Sequence, residues 1–200
     1  MYTRLVIFNG AEDLDAGIAY LKNTAVPLIR QQKGYRGISA QVDRVGGHFT
    51  VLTRWETEAD RDASESAVGK TRQEALELVG GDMMVEYLEE LAFDETSAMV
   101  PGSGLSVRRF SVEPRNVEKS VEFFKTQALP RIKALSGYLG SRLLINRATG
   151  EALVVTAWKD LDTAKTASQQ NEDTRAEATR TIGVSFRDPL FREVVFSETA

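Results

Sequence analysis

The sequence predicts an α+β fold made of two tandem repeats, each with the element order βαββαβ. Landmark residues recur 103 positions apart, among them Pro27 and Pro130, and Trp55 and Trp158. Within each half, the spacing of apolar residues alternates between the period of a strand and the period of a helix. A length of 200 residues with 42% hydrophobic and 27% charged residues is typical of a globular chain.

The duplication covers most of the chain. Aligned without a gap, residues 21–96 and 124–199 share about 21 identities in 76 positions, where about five are expected by chance. We therefore predict a first repeat at 1–95, a linker at 96–104 and a second repeat at 105–200. The Pro, Gly and Ser residues of TSAMVPGSG are typical of a linker.

Each repeat opens with a strand, TRLVIF or LSVRRF, and continues into an amphipathic helix. Pro27 and Pro130 fall inside these helices, where we expect a bend followed by a final turn. A Gly-Tyr-x-Gly corner and a hairpin follow, with HFTVLTRW or EALVVTAW as the second hairpin strand. We expect a second helix at about 58–79 and 161–182, and a last strand at VEYLEELAF or LFREVVF.

The hairpin strands indicate how the two repeats pack. Phe49, Val51 and Trp55 share one face of their strand, while Leu52 makes the other face apolar as well. A strand that is apolar on both faces needs cover on both faces. The helices supply one cover, and we expect the sister repeat to supply the other. The two antiparallel sheets would then pack together as an α/β barrel within one chain.

The composition excludes several classes of function. A net charge of -4 leaves no global positive field for nucleic acid or an anionic membrane. The absence of cysteine and the single histidine argue against disulfides, thiolate chemistry and a histidine-rich metal centre. No apolar stretch is long enough for a signal peptide or a membrane span. We expect a cytoplasmic protein that uses no metal or other cofactor and binds neither nucleic acid nor membrane.

Two matching segments carry a family resemblance, LIRQQKGYRG…FTVLTRWETEADRDA and RIKALSGYLG…ALVVTAWKDLDTAKTA. Each has a helix with a proline, a Gly-Tyr-x-Gly corner, and a strand pair that ends in Thr-x-Trp before an acidic, alanine-rich helix. The pattern resembles the dimeric α/β barrel superfamily of ferredoxin-like proteins, in particular its antibiotic-biosynthesis-monooxygenase-like branch. The resemblance spans nearly the whole chain and implies two ferredoxin-like repeats.

The resemblance also implies an activity, the cofactor-independent monooxygenation of a small aromatic or quinol-like substrate. The site would lie between sheet and helices, with Trp55 against the substrate, Asn9 on its oxygen, and Arg72 stabilising an enolate or phenolate. The candidate substrate-binding residues are Tyr20, Tyr35, Trp158 and Arg175. Packing of the tryptophans and tyrosines in the core, and a structural ion pair for each arginine, are the alternative interpretations. The superfamily also contains haem-degrading enzymes, lactone isomerases and members without a known reaction.

The first repeat is expected to carry the site, because Asn9, His48 and Tyr20 give it more hydrogen-bonding groups than the second repeat has. His48 itself is interpreted as an exposed turn residue. The haem-degrading relatives use a histidine from the second helix, which this sequence lacks, so haem is not expected. The alternative to an oxidoreductase is a non-catalytic or stress-associated protein that binds a small hydrophobic or aromatic molecule. A structural role is the third hypothesis, and we expect a monomeric pseudo-dimer or a homodimer.

Overall fold

A computed structural model describes residues 1–200 and confirms the α+β class and the ferredoxin-like element order in both repeats. The strands are β1 (Tyr2–Asn9), β2 (Tyr35–Asp43), β3 (His48–Trp55), β4 (Asp82–Glu95), β5 (Gly104–Ser111), β6 (Tyr138–Ile145), β7 (Glu151–Trp158), β8 (Ser185–Phe186) and β9 (Leu190–Thr199). The α-helices are α1 (Leu14–Tyr20), α2 (Val26–Arg30), α3 (Glu58–Ala63), α4 (Glu65–Val79), α5 (Val117–Phe123), α6 (Leu129–Lys133), α7 (Leu161–Gln170) and α8 (Glu172–Ile182). None of these helices has the length and apolarity that a membrane span requires.

The chain divides into two compact units, one formed by Met1–Tyr87 with Val194–Ala200 and the other by Leu88–Glu193. In the first unit, neighbouring strands follow the order β4-β1-β3-β2-β9. In the second unit the order is β9-β5-β7-β6-β4, and the short β8 also pairs with β5. The first four strands of each order belong to one repeat and have the arrangement of a ferredoxin-like unit.

In the first unit, β3 is the central strand and pairs antiparallel with β1 and β2. Tyr2 and Tyr35 lie opposite Trp55 at one end of β3, and Phe8 lies opposite Phe49 at the other end. Apolar side chains of this sheet pack with those of the helices to form the core. The second unit has a core of its own that is built in the same way.

The proline-containing helices do not break. The residues before the prolines, Leu21–Ala25 and Phe124–Ala128, form π-helical turns, and Pro27 and Pro130 are the second residues of the α-helices that follow. A proline has no N–H, which is tolerated in the first turn of a helical segment but not in its interior. Each π turn ends two residues before the proline, and a new α-helical segment begins at the residue between them.

The second helix of each repeat is not continuous, which corrects the prediction of one helix at about 58–79 and one at about 161–182. The first is interrupted at Ser64 and the second at Asn171. The hydroxyl of Ser64 donates to the carbonyl of Arg61 at 2.6 Å, and the amide of Asn171 donates to the carbonyl of Ala167 at 3.0 Å. Short polar side chains that bond nearby backbone carbonyls compete with regular helix, and helical periodicity does not report them.

The Gly-Tyr-x-Gly motif forms the corner between α2 and β2. Gly34 has a φ of +74°, a left-handed conformation that glycine adopts without strain. The Tyr35 ring packs edge-on against Trp55 at a centroid distance of 6.1 Å. A Cβ atom on Gly37 would lie 2.7 Å from the carbonyl oxygen of Glu198, so a glycine is needed where β9 approaches β2.

The tyrosine hydroxyls of the two motifs hold carboxylates on the last strands. Tyr35 donates to Glu198 Oε1 at 3.2 Å, and Arg30 pairs with the same carboxylate. Tyr138 donates to Asp94 Oδ2 at 2.9 Å. Burial raises the pKa of both phenols, and the hydrogen bond from Arg30 lowers the pKa of Glu198. Both tyrosines are therefore protonated donors at neutral pH.

The lowered pKa of Glu198 predicts a defined effect on acid stability. Its contribution is present above the ordinary glutamate pKa of about 4.3 and is lost as the pH falls through the lower pKa of the folded state. Glu198→Gln should lower the free energy of unfolding by up to about 1 kcal/mol at pH 7. The difference from the parent protein should shrink towards zero below about pH 4.

Urea unfolding at a series of pH values measures this difference. Glu122→Gln is the control, because Glu122 is exposed and its carboxylate forms no salt bridge. A Glu198→Gln deficit of equal size at pH 7 and pH 3 would show that the ion pair with Arg30 is not its source.

Candidate functional site

A cavity lies between helices and sheet in each repeat, beside the tryptophan that ends the hairpin strand. The cavity of the second repeat has a volume of about 100 Å³ and includes Trp158 and Arg175 in its lining. The cavity of the first repeat has a volume of about 50 Å³ and includes Trp55 and Arg72. Residues of the π-helical turns, such as Phe124 and Leu21, line both cavities.

The walls of the second cavity are mainly apolar and aromatic. Trp158 is 1% exposed, and its indole N–H donates to Ser106 Oγ at 3.0 Å, so no free indole donor faces a ligand. The aromatic lining residues besides this tryptophan are Phe110, Phe123, Phe124 and Phe186. No Asp, Glu, His, Lys, Cys or Tyr side chain lines the cavity. Its walls therefore offer no ordinary general base.

Two half-buried arginines supply the positive charge of this cavity. Arg108, on β5, donates to the carbonyl of Arg187 at 3.0 Å and to Ser168 Oγ at 3.1 Å. Arg175, on α8, donates to the backbone carbonyl of Ser168 at 2.9 Å. Neither guanidinium forms a salt bridge with a carboxylate. The partners of both are neutral oxygen atoms.

Burial lowers the pKa of both arginines. The charge of Arg175 lowers the pKa of Arg108 further, because two like charges lie near each other. The exposed carboxylates Glu172 and Asp188 oppose this shift through longer-range attraction. The positive charge at this wall of the cavity is thus only partly balanced by the protein itself.

The first cavity is arranged differently around its arginines. Arg4, on β1, is 2% exposed and donates to Ser64 Oγ at 3.0 Å and to the carbonyl of Arg61 at 2.5 Å. Its guanidinium lies 3.2 Å from Glu65 Oε2, and Arg72 pairs with the other oxygen of the same carboxylate. Burial lowers the pKa of Arg4, the Arg72 charge lowers it further, and Glu65 opposes both effects.

Two side chains of the first repeat are larger than their counterparts in the second. Phe49 stacks on Phe8 at a centroid distance of 5.7 Å, and Ala152 stands at the matching position of the second repeat. Arg4 lies below the tryptophan, 5.7 Å from its ring centroid, where the second repeat has Ser106. Both side chains take up more space in the first repeat, and Ser106 is among the residues that line the larger cavity of the second.

Comparisons with known proteins bear on the fold. No protein-family model matches the chain. Two uncharacterized proteins of Mycobacterium tuberculosis, Rv2557 and Rv2558, are 27% and 24% identical over 86% and 88% of this chain, and over 77% and 75% of their own lengths. They carry no assigned activity.

Solved structures resemble the chain over nearly its whole length. A candidate monooxygenase of Fusobacterium nucleatum has a TM-score of 0.73 at 12% identity, covering 99% of this chain and 94% of its own. An anthrone oxidase-like protein has a TM-score of 0.71 at 12% identity, covering 100% and 93%. A ferredoxin-fold protein of Listeria monocytogenes related to antibiotic biosynthesis monooxygenases has a TM-score of 0.55 at 8% identity, covering 96% and 93%. The chain has the fold of the antibiotic-biosynthesis-monooxygenase-like proteins. At these identities the likeness concerns the fold alone.

Five of the seven residues that the sequence singled out line a cavity of this monooxygenase-like fold. They are Tyr20, Trp55 and Arg72 in the first repeat, and Trp158 and Arg175 in the second. Tyr35 lies outside both cavities and supports the tryptophan through its edge-on contact. The hydroxyl of Tyr20 donates to Glu74, and burial together with this bond raises the pKa of Tyr20 to about 12.

Asn9 is placed away from the cavity, which corrects its expected position beside Trp55. Its amide nitrogen donates to Asp82 Oδ1 at 2.9 Å, and its oxygen lies 3.0 Å from Nδ1 of a half-buried His48. β1 and β3 are antiparallel, so the end of β3 lies opposite Tyr2 at the start of β1. Seven residues of strand, about 23 Å, separate Tyr2 from Asn9.

Sequence reasoning missed Arg108, Ser168, Arg4 and Glu65. Arg4 and Arg108 are charged residues within the apolar opening strands, a pattern that points to a buried charge with a specific partner. Ser168 and Glu65 stand at the same position of the two repeats and differ in charge, a difference that a comparison of the repeats reveals. Residues that the two repeats share do not reveal this difference.

The contacts of Glu65 predict a cost for its neutralisation. Glu65→Gln removes the counter-ion of the buried Arg4 and should lower the free energy of unfolding by about 1–3 kcal/mol at pH 7. Glu113→Gln is the matched control, because Glu113 pairs with Arg115 at the surface, and its loss should stay within about 1 kcal/mol. Urea unfolding of both variants measures the two losses, and equal losses would contradict a special role for Glu65.

Proposed function

We propose that this chain is a monooxygenase-like protein that takes a small aromatic, phenolic or quinol-type molecule into the cavity of its second repeat. The observation that carries the proposal is an apolar cavity beside Trp158 that is also lined by two arginines. Neither arginine is paired with a carboxylate. We therefore propose the site in the second repeat. The sequence alone had placed it in the first repeat, because that repeat has more hydrogen-bonding groups. The second cavity has about twice the volume of the first.

The volume limits the size of the ligand. An engineered apolar cavity of about 150 Å³ binds benzene. A cavity of about 100 Å³ therefore favours a single ring, with small movements of the lining side chains. The first cavity, at about 50 Å³, would need larger side-chain movements to admit a ring. We infer that single-ring substrates are preferred over fused, multi-ring ones.

The charges favour a substrate that ionises on its own oxygen. Because the walls hold no carboxylate, imidazole or amine, the cavity itself supplies no base to remove a proton. The guanidinium groups of Arg108 and Arg175 instead stabilise the anionic form of a phenol, since an adjacent positive charge lowers its pKa. The apolar walls lower the local dielectric constant, which strengthens this attraction.

In the proposed reaction the substrate anion itself reduces dioxygen. The phenolate, formed by loss of its hydroxyl proton to water, transfers one electron to O₂, and the ring radical and superoxide combine at an unsubstituted C–H carbon of the ring. A proton from water completes the hydroperoxide, and loss of water from this carbon leaves a carbonyl. A phenol and O₂ thus become a quinone and H₂O. Arg108 and Arg175 hold the oxyanion, and Trp158 with the phenylalanines holds the ring in place.

A second candidate function is binding without oxidation. The observation that favours it is the same lack of an acid or base among the lining residues, because a binding site needs none. Oxygen uptake separates the two functions, since both predict binding of a single-ring ligand and only the first predicts turnover.

The test is oxygen consumption with single-ring quinols and phenols, using Arg175→Met and Arg72→Met as a matched pair at equivalent positions. Arg175→Met should lower kcat/KM by about 10- to 100-fold, because it removes charge stabilisation at the developing oxyanion. Arg72→Met should change kcat/KM by less than about threefold. Melting curves of both variants check that each remains folded.

The reverse result, with Arg72→Met inactive and Arg175→Met active, would return the site to the first repeat. Binding of the same compounds without oxygen uptake by the parent protein would leave only the binding function. Uptake that is equal in the parent protein and in Arg175→Met would rule out the second cavity as the place of reaction.

A further inference from the structure

The two repeats differ in charge at one position that contacts both cavity arginines. Glu65 and Ser168 are equivalent at the repeat offset, as are Arg72 and Arg175. The remaining arginine of each site comes from the opening strand, Arg4 in the first repeat and Arg108 in the second. Arg108 lies two residues further along its strand than the counterpart of Arg4, and therefore on the same strand face.

In the first repeat, Glu65 occupies the position between its two arginines. One carboxylate oxygen lies 3.2 Å from the guanidinium of Arg4, and the other pairs with Arg72. One negative charge thus bridges two positive charges. The first cavity carries its own anion as part of the protein.

In the second repeat, Ser168 occupies the same position and brings no charge. Its hydroxyl accepts from Arg108 at 3.1 Å, and its backbone carbonyl accepts from Arg175 at 2.9 Å. The two guanidinium groups repel each other, and Glu172 and Asp188 balance them only from the surface. The second cavity has the arginines of an anion site without a protein carboxylate.

The guanidinium nitrogens of the two repeats also differ in their exposure to solvent. In the first repeat, Nε and Nη1 of Arg72 and Nε of Arg4 are sealed from solvent without a hydrogen-bond partner. No guanidinium nitrogen of Arg108 or Arg175 is both sealed and unpartnered. The unpartnered nitrogens of Arg108 and Arg175 are therefore exposed to solvent, and both side chains line the cavity.

We propose that Arg108 and Arg175 bind the oxyanion of a single-ring aromatic acid, at the place that the Glu65 carboxylate occupies in the first repeat. The proposal rests on the proposed function for the location of the site and names the charge class of its ligand. The aromatic walls hold the ring, and the paired guanidinium groups hold the carboxylate or phenolate. A neutral ring of the same shape lacks the charge that these groups leave unbalanced.

The chemistry of the walls narrows this class. An inorganic anion alone would leave apolar lining residues such as Phe124 and Phe186 exposed to water. An aromatic ring covers them and thereby contributes to affinity. In the first repeat a single carboxylate bridges the two arginines, so one negative charge is the match for this pair of guanidinium groups. A monoanion with one ring satisfies both conditions.

The test is calorimetric titration of the full chain with benzoate, its neutral counterpart benzamide, and acetate. Benzoate should bind about tenfold or more tightly than either of the others, since it alone combines ring and charge. Ser168→Glu installs the carboxylate of the first repeat, and Ser168→Gln is a neutral control of nearly equal size. Ser168→Glu should weaken benzoate binding by about tenfold more than Ser168→Gln does.

A second measurement does not depend on a ligand. Ser168→Glu places a negative charge between two repelling guanidinium groups, so its thermal midpoint should exceed that of Ser168→Gln. The presence of a glutamate at the equivalent position of the first repeat shows that the fold has room for this side chain. The melting curves also show whether each variant is folded before its titration is interpreted.

Equal affinities for benzoate and benzamide, or equal losses in Ser168→Glu and Ser168→Gln, would overturn the anion site. Benzoate binding without oxygen uptake on any phenol would uphold the anion site and overturn the proposed oxidation. Oxygen uptake on a neutral quinol by both the parent protein and Ser168→Glu, without benzoate binding, would uphold oxidation and overturn the anion site.

Discussion

Each repeat carries an arginine from its opening strand to the wall of an apolar core, and a charge taken out of water requires acceptors or a counter-ion. The arrangement around both cavities follows from this requirement. In the first repeat, Ser64, the Arg61 carbonyl and Glu65 surround Arg4 and close the site. In the second, neutral oxygens satisfy part of the Arg108 guanidinium and leave its charge available.

The duplication makes the two cavities direct controls for each other. The tryptophan, its edge-on tyrosine, the π-helical turn and the helix arginine are shared, so these parts support the fold in either state of the cavity. The two repeats differ in the side chains that surround the cavities. Phe49 and Arg4 are larger than their counterparts Ala152 and Ser106, and close packing makes the size of a cavity sensitive to such exchanges.

Much of the fold followed from periodicity, while the site depended on tertiary facts that periodicity does not contain. The repeat offset and the Gly-Tyr-x-Gly motif predicted the element order and the tryptophan beside a cavity. The prediction placed Asn9 beside Trp55 because each residue ends its strand. The two strands are antiparallel, so their last residues lie at opposite ends of the strand pair. The sequence-based preference for the first repeat rested on its hydrogen-bonding groups, whereas the site proposed in the second repeat rests on the larger volume of its cavity.

A tandem duplication permits an asymmetry that a homodimer of single repeats does not have, because in a homodimer every substitution acts on both sites. With both copies in one chain, the first site can gain an internal carboxylate while the second keeps an unbalanced charge. An unbalanced charge at an apolar cavity is unfavourable for the folded protein, and such local costs are typical of functional sites. Under the proposed function, Glu65 stabilises the copy that has given up its ligand, and Ser168 marks the copy that keeps one.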